Sequence, residues 1–355
     1  MKILFNAAFN TRLKVGIAIY IRRLIPELAR LCNLTILTPD PELFSPYGKT
    51  ICIPEFVRFN LQRTIWTLTR LNRYCTKEYD ILLCPTPVVP IFPCLPIIAV
   101  VHDLIPFKMR PYLPQKEKLS FWLGFQSLRF ARRVITVSES TRRDLIKMKI
   151  LPPERISVAR NGPGITPSDR DSDFGKQFIP FILYVGSHAP YKNTRRLIAA
   201  FSSLRAQREM KLILVGGDTK HQIDFVQTQI KRYNLESRAL FFSELDEDKL
   251  SSLYRHCTVF VTASIYEGFG LPLLEAMGHG APIACSATAS LPEVANGAAV
   301  YFDPLSTKDI AAKLQLLLDN RELRAKLSAI GKQRTAQFSW EKTARTIFNC
   351  ARKCC

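Results

Sequence analysis

The stretch that decides the fold reads Ser264-Ile-Tyr-Glu267-Gly268-Phe269-Gly270-Leu271-Pro272-Leu-Leu-Glu275-Ala276-Met277. The residues just before it, Thr258-Val-Phe-Val-Thr262, are β-branched and apolar, as expected of a buried strand. Pro272 suits the first turn of a helix, where its missing N–H costs nothing. The stretch therefore predicts a strand, a glycine-rich loop and a helix, in that order.

The loop within this stretch has the composition of a sugar-nucleotide site. Gly268 and Gly270 leave the backbone free to adopt positive φ, and the unpaired N–H groups of the helix start attract a diphosphate. Glu267 lies before the helix and Glu275 about one turn into it, so the two carboxylates can accept hydrogen bonds from hydroxyl groups. The alternative is structural, with Glu267 capping the helix and Glu275 solvated. The coincidence of acids, glycines and proline at one junction favours function.

These residues resemble the E-x7-E signature of the retaining group 1 glycosyltransferases, also called family 4. The resemblance implies an α/β protein of the GT-B fold, in which two Rossmann-like doubly wound parallel-sheet domains face a cleft and the C-terminal helix crosses back. It also implies that Glu267 contacts the donor sugar and that Glu275 holds the nucleotide ribose. The backbone amides that would face the diphosphate are those of Gly268, Phe269, Gly270 and Leu271.

A second segment resembles the strand and phosphate loop that open the C-terminal domain of this family, and it reads Phe181-Ile-Leu-Tyr-Val-Gly186-Ser187-His-Ala-Pro-Tyr191-Lys192-Asn193. Lys192 would be the cation that stabilises the charge building on the leaving diphosphate. The alternative, a basic residue without special role, is disfavoured because Lys192 lies at a glycine loop before a helix. Many relatives carry Arg before this Lys, where the chain has Tyr191. Either one cation suffices, or Arg195 or Arg196 supplies a second.

Four further donor ligands are implied by the same resemblance. Gly186 and Ser187 belong to the phosphate loop, and Leu245 follows the strand whose end usually meets the base. In the N-terminal half, Gly16 matches a glycine loop that faces the donor, although an ordinary loop turn explains a single glycine equally well.

His102 is the candidate donor contact of the N-terminal domain. It follows the buried strand Pro96–Val101, at the carboxyl edge where open α/β sheets bind ligands. It matches the family histidine near the donor sugar, although a lone histidine at a strand end is commonly structural. Asp103 beside it is predicted to turn the chain.

The length of 355 residues predicts two domains, because one ordinary core is smaller. We expect an N-terminal Rossmann-like acceptor-binding domain over residues 1–165 and a C-terminal donor-binding domain over residues 166–335. Residues 336–355 are expected to form a helix that packs back on the N-terminal domain. The linker is placed between Pro163 and Pro180, where Gly, Pro, Ser and Asp crowd together.

Composition indicates a cytoplasmic protein without a membrane-spanning helix. Ten cysteines without a C-x-x-C pair predict reduced thiols. Five prolines interrupt the uncharged run 81–101, so it should form strand, loop, strand, and the N-terminus lacks a secretory signal. No aspartate pair has metal-holding spacing, so neither metal nor cofactor is expected beside the nucleotide sugar.

The net charge of +20 is concentrated in the N-terminal half. Residues 1–165 hold 25 Lys and Arg against 11 Asp and Glu, a net +14, whereas residues 166–355 hold 25 against 19, a net +6. One basic tract would fall on a single helical face with a row of leucine and isoleucine side chains outside it, and it comprises Arg58, Arg63, Arg70, Arg73 and Lys77. A second comprises Arg129, Arg132, Arg133, Arg142 and Arg143. Such faces fit either a solvated surface or peripheral contact with the anionic inner face of the plasma membrane.

The predicted activity is transfer of a hexosyl group from a nucleoside-diphosphate sugar, with retention of configuration, to a saccharide or lipid-linked saccharide acceptor. The catalytic residues would be His102, Lys192 and Glu267, the donor GDP-mannose as a family-level guess, and the pathway polysaccharide, O-antigen or glycolipid assembly. Two alternatives are a GT-B epimerase or phosphorylase and a basic nucleic-acid-binding protein. Nucleic acid is not an expected partner, because the basic tracts lack an aromatic-bearing RNA motif.

Overall fold

The chain forms two compact units, each built on one parallel β-sheet. The computed structural model describes residues 1–13, 16–58, 60–109, 115–167, 172–205, 209–217 and 219–355. The first unit comprises Met1–Gly162 and Ser339–Cys355, and the second comprises Pro163–Phe338. The units thus divide after Gly162 and Phe338. The sequence analysis predicted these boundaries at residues 165 and 335.

The sheet of the first unit has seven strands in the order β3-β2-β1-β4-β5-β6-β7, all of them parallel. Their bounds are β1 Lys2–Asn6, β2 Asn33–Thr38, β3 Lys49–Cys52, β4 Ile81–Cys84, β5 Ile97–Val101, β6 Arg133–Thr136 and β7 Ile156–Val158. The strand order reverses between β1 and β4, as in a doubly wound fold. The uncharged run 81–101 is strand, loop, strand, as predicted.

The sheet of the second unit has six parallel strands in the order β10-β9-β8-β11-β12-β13. Their bounds are β8 Phe181–Val185, β9 Lys211–Val215, β10 Ala239–Phe242, β11 Val259–Thr262, β12 Ile283–Ser286 and β13 Ala299–Phe302. Here the order reverses between β8 and β11, which are therefore the two strands whose loops diverge at the carboxyl edge.

Helices connect most successive strands in both units, whereas a loop alone joins β4 to β5. They are α1 Gly16–Ala29, α2 Pro41–Phe44, α3 Asn60–Thr69, α4 Ile105–Lys108, α5 Gln115–Ser127, α6 Glu139–Lys147, α7 Thr194–Ser202, α8 Lys220–Arg232, α9 Glu247–His256, α10 Leu271–Gly278, α11 Leu291–Ala295, α12 Thr307–Asp319, α13 Arg321–Thr335 and α14 Trp340–Arg352. No helix among the described residues combines the length and the hydropathy that a bilayer span requires.

The core of the second unit lies between its sheet and the surrounding helices. Its strands are nearly continuous apolar runs, as expected of parallel strands that are covered on both faces. Side chains of β8, β9 and β11 pack with those of α7, α8 and α12, and they include Ile182, Leu212, Val259, Leu197, Phe201, Val226 and Leu314. This packing makes the central strands a rigid support for the loops at their carboxyl ends.

The terminal helix α14 belongs to the first unit. Ser339 caps it by accepting a hydrogen bond from the Lys342 amide at 3.2 Å. The Trp340 indole packs edge-on against Tyr20 of α1 with ring centroids 5.5 Å apart, and the Thr343 hydroxyl donates to the Arg160 carbonyl at 2.6 Å. Burial of this apolar face, including Ile347, ties the end of the chain to residues 1–162.

The prediction of a single cationic helix face over residues 58–77 is wrong. Helix α3 ends at Thr69, so Arg70, Arg73 and Lys77 lie beyond it. Arg58 precedes α3 and pairs with the buried Asp40 at 2.8 Å. Arg63 lies on α3 itself, but its guanidinium stacks on the Phe9 ring at 4.6 Å, and burial lowers its pKa to about 10.

The second basic tract is also divided among elements. Arg129 lies in a turn of 3-10 helix after α5, Arg133 begins β6, and Arg142 lies in α6. Arg133 and Arg142 donate hydrogen bonds to the backbone carbonyls of Glu154 and Ile156. The charges of this tract therefore do not share one helix face either.

Replacing Trp340 with alanine should destabilise the first unit by about 3–5 kcal/mol, because it removes a large buried aromatic side chain. Urea unfolding followed by far-ultraviolet circular dichroism measures the change. Arg345→Ala, on the same helix, is the control. Its ion pair with Glu341 is exposed, so it should change the free energy of unfolding by less than about 0.5 kcal/mol. Equal effects of the two substitutions would contradict the packing of α14.

Candidate active site

Two loops meet at the carboxyl edge of the second sheet, where its strand order reverses. One follows β8 and runs to Asn193, and the other follows β11 and runs to Gly270. They are joined by a hydrogen bond from the Ile265 amide to the Tyr191 carbonyl at 2.8 Å. The Asn193 side chain donates to the Ala263 carbonyl at 3.0 Å. Ligands of doubly wound sheets bind at such a reversal point.

Lys192 and Glu267 form an ion pair across these two loops. The Lys192 Nζ lies 2.6 Å from the Glu267 Oε1, and the side chains are only 17% and 12% exposed. Burial alone would lower the pKa of Lys192, but the Glu267 carboxylate together with Tyr191 and Tyr184 outweighs it, so the pKa is raised and the ammonium stays charged. The Ser264 hydroxyl donates to the same Glu267 oxygen at 2.7 Å. The structure thus brings together the predicted phosphate cation and the predicted sugar-binding acid.

Three positioning residues carried no predicted role. Ser264 holds the Glu267 carboxylate, and the Ser290 hydroxyl donates to the Glu267 carbonyl at 2.9 Å. Asn193 adopts the left-handed conformation with φ of 62°, and its amide also donates to the Pro304 carbonyl at 2.7 Å. Asparagine tolerates this conformation better than most residues. The asparagine after Lys192, just before a helix, could therefore have indicated the left-handed turn from the sequence. The Ser290 contact could not, because it depends on tertiary packing.

Tyr191, which precedes Lys192, contributes its aromatic ring to the surroundings of the ammonium. The Lys192 Nζ lies 5.5 Å from the centroid of the Tyr191 ring, within reach of a cation–π interaction. Of the two arginines considered as a second cation, Arg196 donates to the Asn193 Oδ1 at 3.0 Å, and Arg195 is exposed on α7.

The start of α10 has the backbone geometry that a close ligand needs. Gly270 precedes the helix with φ of 99°, and a Cβ there would lie 2.8 Å from the Leu291 side chain, so glycine is required. Gly268 does not have a positive φ. Leu271 and Pro272 form the first turn of α10, as predicted. Phe269 is buried against the Phe338 ring, with centroids 5.9 Å apart.

Gly186 and Ser187, the predicted phosphate-loop residues, are closely packed. The Ser187 carbonyl accepts a hydrogen bond from the Tyr184 hydroxyl at 2.6 Å. A Cβ on Gly216 would lie 2.4 Å from the Gly186 carbonyl oxygen, so the turn after β9 must be glycine. Leu245, the predicted base contact, lies between β10 and α9.

Glu275 lies apart from the Lys192–Glu267 pair, on the buried side of α10. It is 4% exposed, and its carboxylate accepts a hydrogen bond from the Tyr254 hydroxyl at 2.9 Å. Burial raises its pKa to about 7, and hydrogen bonds from Tyr254 and the backbone of Ile165 and Gly164 oppose the rise. The residue predicted to hold the ribose is therefore already engaged with the segment that follows Gly162.

Gly16 and His102 belong to the first unit. Gly16 is the first residue of α1. His102 follows β5, and its Nε2 lies 2.9 Å from the Pro85 carbonyl, to which it donates in the neutral ring form. Burial lowers the pKa of His102 to about 4, so the ring is neutral near pH 7. Asp103 accepts a hydrogen bond from the Ile105 amide at 2.9 Å, which turns the chain into α4 as predicted.

Both halves of the chain match known glycosyltransferase families. Residues 15–163 match Glycosyltransferase Family 4, and residues 169–334 match Glycosyl transferases group 1. The chain is 30% identical over 262 residues to the O-antigen chain mannosyltransferase B of Escherichia coli, a match that covers 70% of this chain and 68% of that protein. The chain belongs to the group 1 glycosyltransferases.

Two further comparisons place this glycosyltransferase among its relatives. It is 29% identical over 261 residues to the serotype-specific mannosyltransferase WbdA of Escherichia coli, and it spans 32% of the length of that protein. The structure of sucrose-phosphate synthase from Thermosynechococcus elongatus superimposes with a TM-score of 0.80 at 21% identity, covering 99% of this chain and 98% of that one. The glycosyltransferase therefore has the predicted GT-B fold, and these relatives lend no support to an epimerase, a phosphorylase or a nucleic-acid-binding protein.

No metal centre is evident in the described part of the glycosyltransferase. Nowhere in those residues do three or more His, Cys, Asp or Glu side chains group in a way that could hold a metal ion. The cation that the described loops present at the reversal point is Lys192.

Glu275→Gln should make stability less dependent on pH. A folded pKa of about 7 against an ordinary 4.5 means that the folded glycosyltransferase binds this proton more tightly than the unfolded chain. Its contribution to the free energy of unfolding therefore falls as pH rises through that window. The variant should match the parent at about pH 5 and exceed it at about pH 8 in urea unfolding. Glu341→Gln, at an exposed position, is the control. A pH-independent difference for Glu275→Gln would refute the raised pKa.

Proposed function

We propose that this glycosyltransferase moves a hexosyl group, most simply mannosyl, from a nucleoside-diphosphate sugar to a saccharide or lipid-linked saccharide. The observation that carries the proposal is the Lys192–Glu267 pair at 2.6 Å, at the strand-order reversal of the donor-binding unit. The mannosyl group follows the names of the two Escherichia coli relatives. Those names also support a role in O-antigen or related surface polysaccharide synthesis.

The pair suggests how the donor is held. When a diphosphate arrives, its oxygens offer Lys192 a doubly charged partner in place of the Glu267 carboxylate. The released carboxylate, still oriented by Ser264, can then accept hydrogen bonds from sugar hydroxyls. As the bond between sugar and phosphate breaks, charge grows on the leaving oxygen beside the ammonium, which stabilises the transition state more than the ground state.

We propose retention of configuration without a metal ion. The proposed mechanism uses no covalent nucleophile of the enzyme. The acceptor attacks the face from which the diphosphate departs, and the leaving phosphate helps to take its proton. Lys192 provides a fixed positive charge for the diphosphate. Gly16 and His102 stay predicted donor ligands of the first unit, as do Leu245 and Glu275 of the second.

We place the enzyme in the cytoplasm, at the inner face of the plasma membrane when it meets a lipid-linked acceptor. The support is chemical: nucleotide sugars are cytosolic and water-soluble, whereas a lipid-linked acceptor is confined to the bilayer. The net charge of +14 on residues 1–165 favours an anionic surface.

Nucleotide sugars should raise the melting temperature, and GDP-mannose should do so at the lowest concentration, because a ligand of the folded state stabilises it by mass action. Lys192→Ala and Glu267→Ala should remain folded and lose this protection. Lys249→Ala is the matched control, since Lys249 pairs with Asp246 on an exposed surface of the same unit. Thermal scans with GDP- and UDP-sugars measure the effect. Protection of the Lys192 and Glu267 variants equal to that of the parent would reject the proposed site.

Transfer should proceed in excess chelator and yield a product with the anomeric configuration of the donor. Nuclear magnetic resonance of the early product, before mutarotation or exchange, reads the configuration. Lys192→Ala should lower kcat/KM by on the order of 10²–10³-fold, the usual effect of removing one group that stabilises transition-state charge. An inverted product, or activity abolished by chelator and restored by a divalent ion, would overturn this mechanism.

A further inference from the structure

The first unit exposes an apolar surface that serves no purpose in its own core. Helices α3 and α5 pack against each other. Each turns two large side chains to the outside, Leu61 and Ile65 four residues apart on α3, and Leu119 and Trp122 three residues apart on α5. These spacings place each pair on one helix face. Between 42% and 56% of each of the four residues is exposed.

A loop at the ends of these helices carries two more exposed apolar residues, Ile91 and Phe92. The Ile91 amide donates to the Leu68 carbonyl of α3 at 3.1 Å. Asn72, just beyond α3, donates through its side chain to the Ile91 and Phe92 carbonyls at 3.0 and 3.1 Å. The Phe92 ring lies 5.5 Å from the ring of Phe130, just beyond α5. The loop is therefore held to the ends of both helices.

Phe92 has an unfavourable conformation that no burial compensates. Its φ of 53° lies in the left-handed region, which is uncommon for a bulky side chain. Its exposed fraction of 79% is the largest among the exposed large hydrophobic residues of the described chain. Backbone strain of this kind persists where the surroundings impose it, and it concentrates at functional positions.

Basic residues outnumber acidic ones in the segments of this surface, and Glu117 is the acidic residue of α5. Residues 60–74, 90–95 and 118–130 contain no Asp or Glu, and their basic residues are Arg63, Arg70, Arg73, Lys118 and Arg129. Arg63 is occupied by Phe9, but Arg70 and Arg129 are exposed beside the apolar loop. Exposed apolar side chains flanked by arginine and lysine are the composition of an interfacial membrane surface.

We infer that Leu61, Ile65, Ile91, Phe92, Leu119 and Trp122 form a docking face that inserts into an anionic lipid surface. The face lies on the ends and sides of α3 and α5, and not on the cationic helix face that the sequence predicted. The functional role of this docking face rests on the proposed lipid-linked acceptor. Its binding to lipid does not, because the protein should bind vesicles that contain neither acceptor nor donor.

Vesicles of phosphatidylcholine with phosphatidylglycerol should bind the full chain, and vesicles of phosphatidylcholine alone should bind it at least about tenfold more weakly. Co-sedimentation measures the partition coefficient. Intrinsic fluorescence reports insertion, because Trp122 is 46% exposed whereas Trp66 and Trp340 are 5% and 8% exposed. The emission should shift to shorter wavelength on binding, and Trp122→Phe should abolish the shift.

Phe92→Ser and Ile65→Ser should each weaken binding by about ten- to hundredfold, as expected when a large apolar side chain no longer enters the bilayer. Leu305→Ser is the matched control, because Leu305 is 59% exposed in the second unit. Arg70→Glu and Arg129→Glu should bind vesicles more weakly than the parent, and this difference should grow as salt is lowered, because charges are then less screened. Arg345→Glu on α14 is the control.

Donor protection against thermal unfolding should be unchanged in the Phe92 and Ile65 variants, so failure of the docking face and failure of the donor site give different results. Parent-like vesicle binding by Phe92→Ser and Ile65→Ser would overturn the inference. The inference would also be overturned if the parent protein did not bind vesicles and instead formed dimers that those two substitutions dissociate. Light scattering measures this.

Discussion

A lysine ammonium and a glutamate carboxylate, 75 residues apart in sequence, come within 2.6 Å at the carboxyl edge of the second sheet, where its strand order reverses. Removing either partner would leave a partly buried charge without compensation, which is costly. The pair therefore holds the two loops together. On the proposed function, a diphosphate takes over the cation and frees the acid for the sugar, so the contact that joins the loops also supplies the two chemical groups of the site.

The two carboxylates of the E-x7-E stretch have opposite surroundings although they are eight positions apart. Glu267 faces a cation and a hydroxyl, and its side chain is 12% exposed. Glu275, one turn into α10, is enclosed with the Tyr254 hydroxyl and the backbone of Gly164 and Ile165, so burial raises its pKa to about 7. Glu267 lies in the loop before α10 and faces Lys192, whereas Glu275 lies within α10 and holds the segment that enters the second unit. A ribose hydroxyl would have to join or displace these partners.

The first unit carries its charge differently from the way the sequence suggested. Arg58 and Arg63 are used internally, by the buried Asp40 and by the Phe9 ring. The arginines that remain exposed beside α3 and α5 border an apolar face instead of forming a charged one. Apolar insertion and basic attraction together bind lipid more strongly than either alone, because the first removes surface from water and the second acts at longer range.

The sequence by itself determined the strand, glycine loop and helix around Glu267, with the helix start at Pro272. It also determined that prolines break the run 81–101, and it indicated the glycosyltransferase family. Each of these depends on residues that are close in sequence. The tertiary structure decided which groups meet. Lys192 pairs with Glu267, Ser290 supports it, and Glu275 is buried, because parallel strands bring loops together that are far apart in the chain. In the tertiary structure, α3 ends at Thr69, so the basic residues that were predicted to share one helix face lie on different elements. Helical periodicity specifies which residues would share a face, but only packing specifies how far the helix runs and which side is covered.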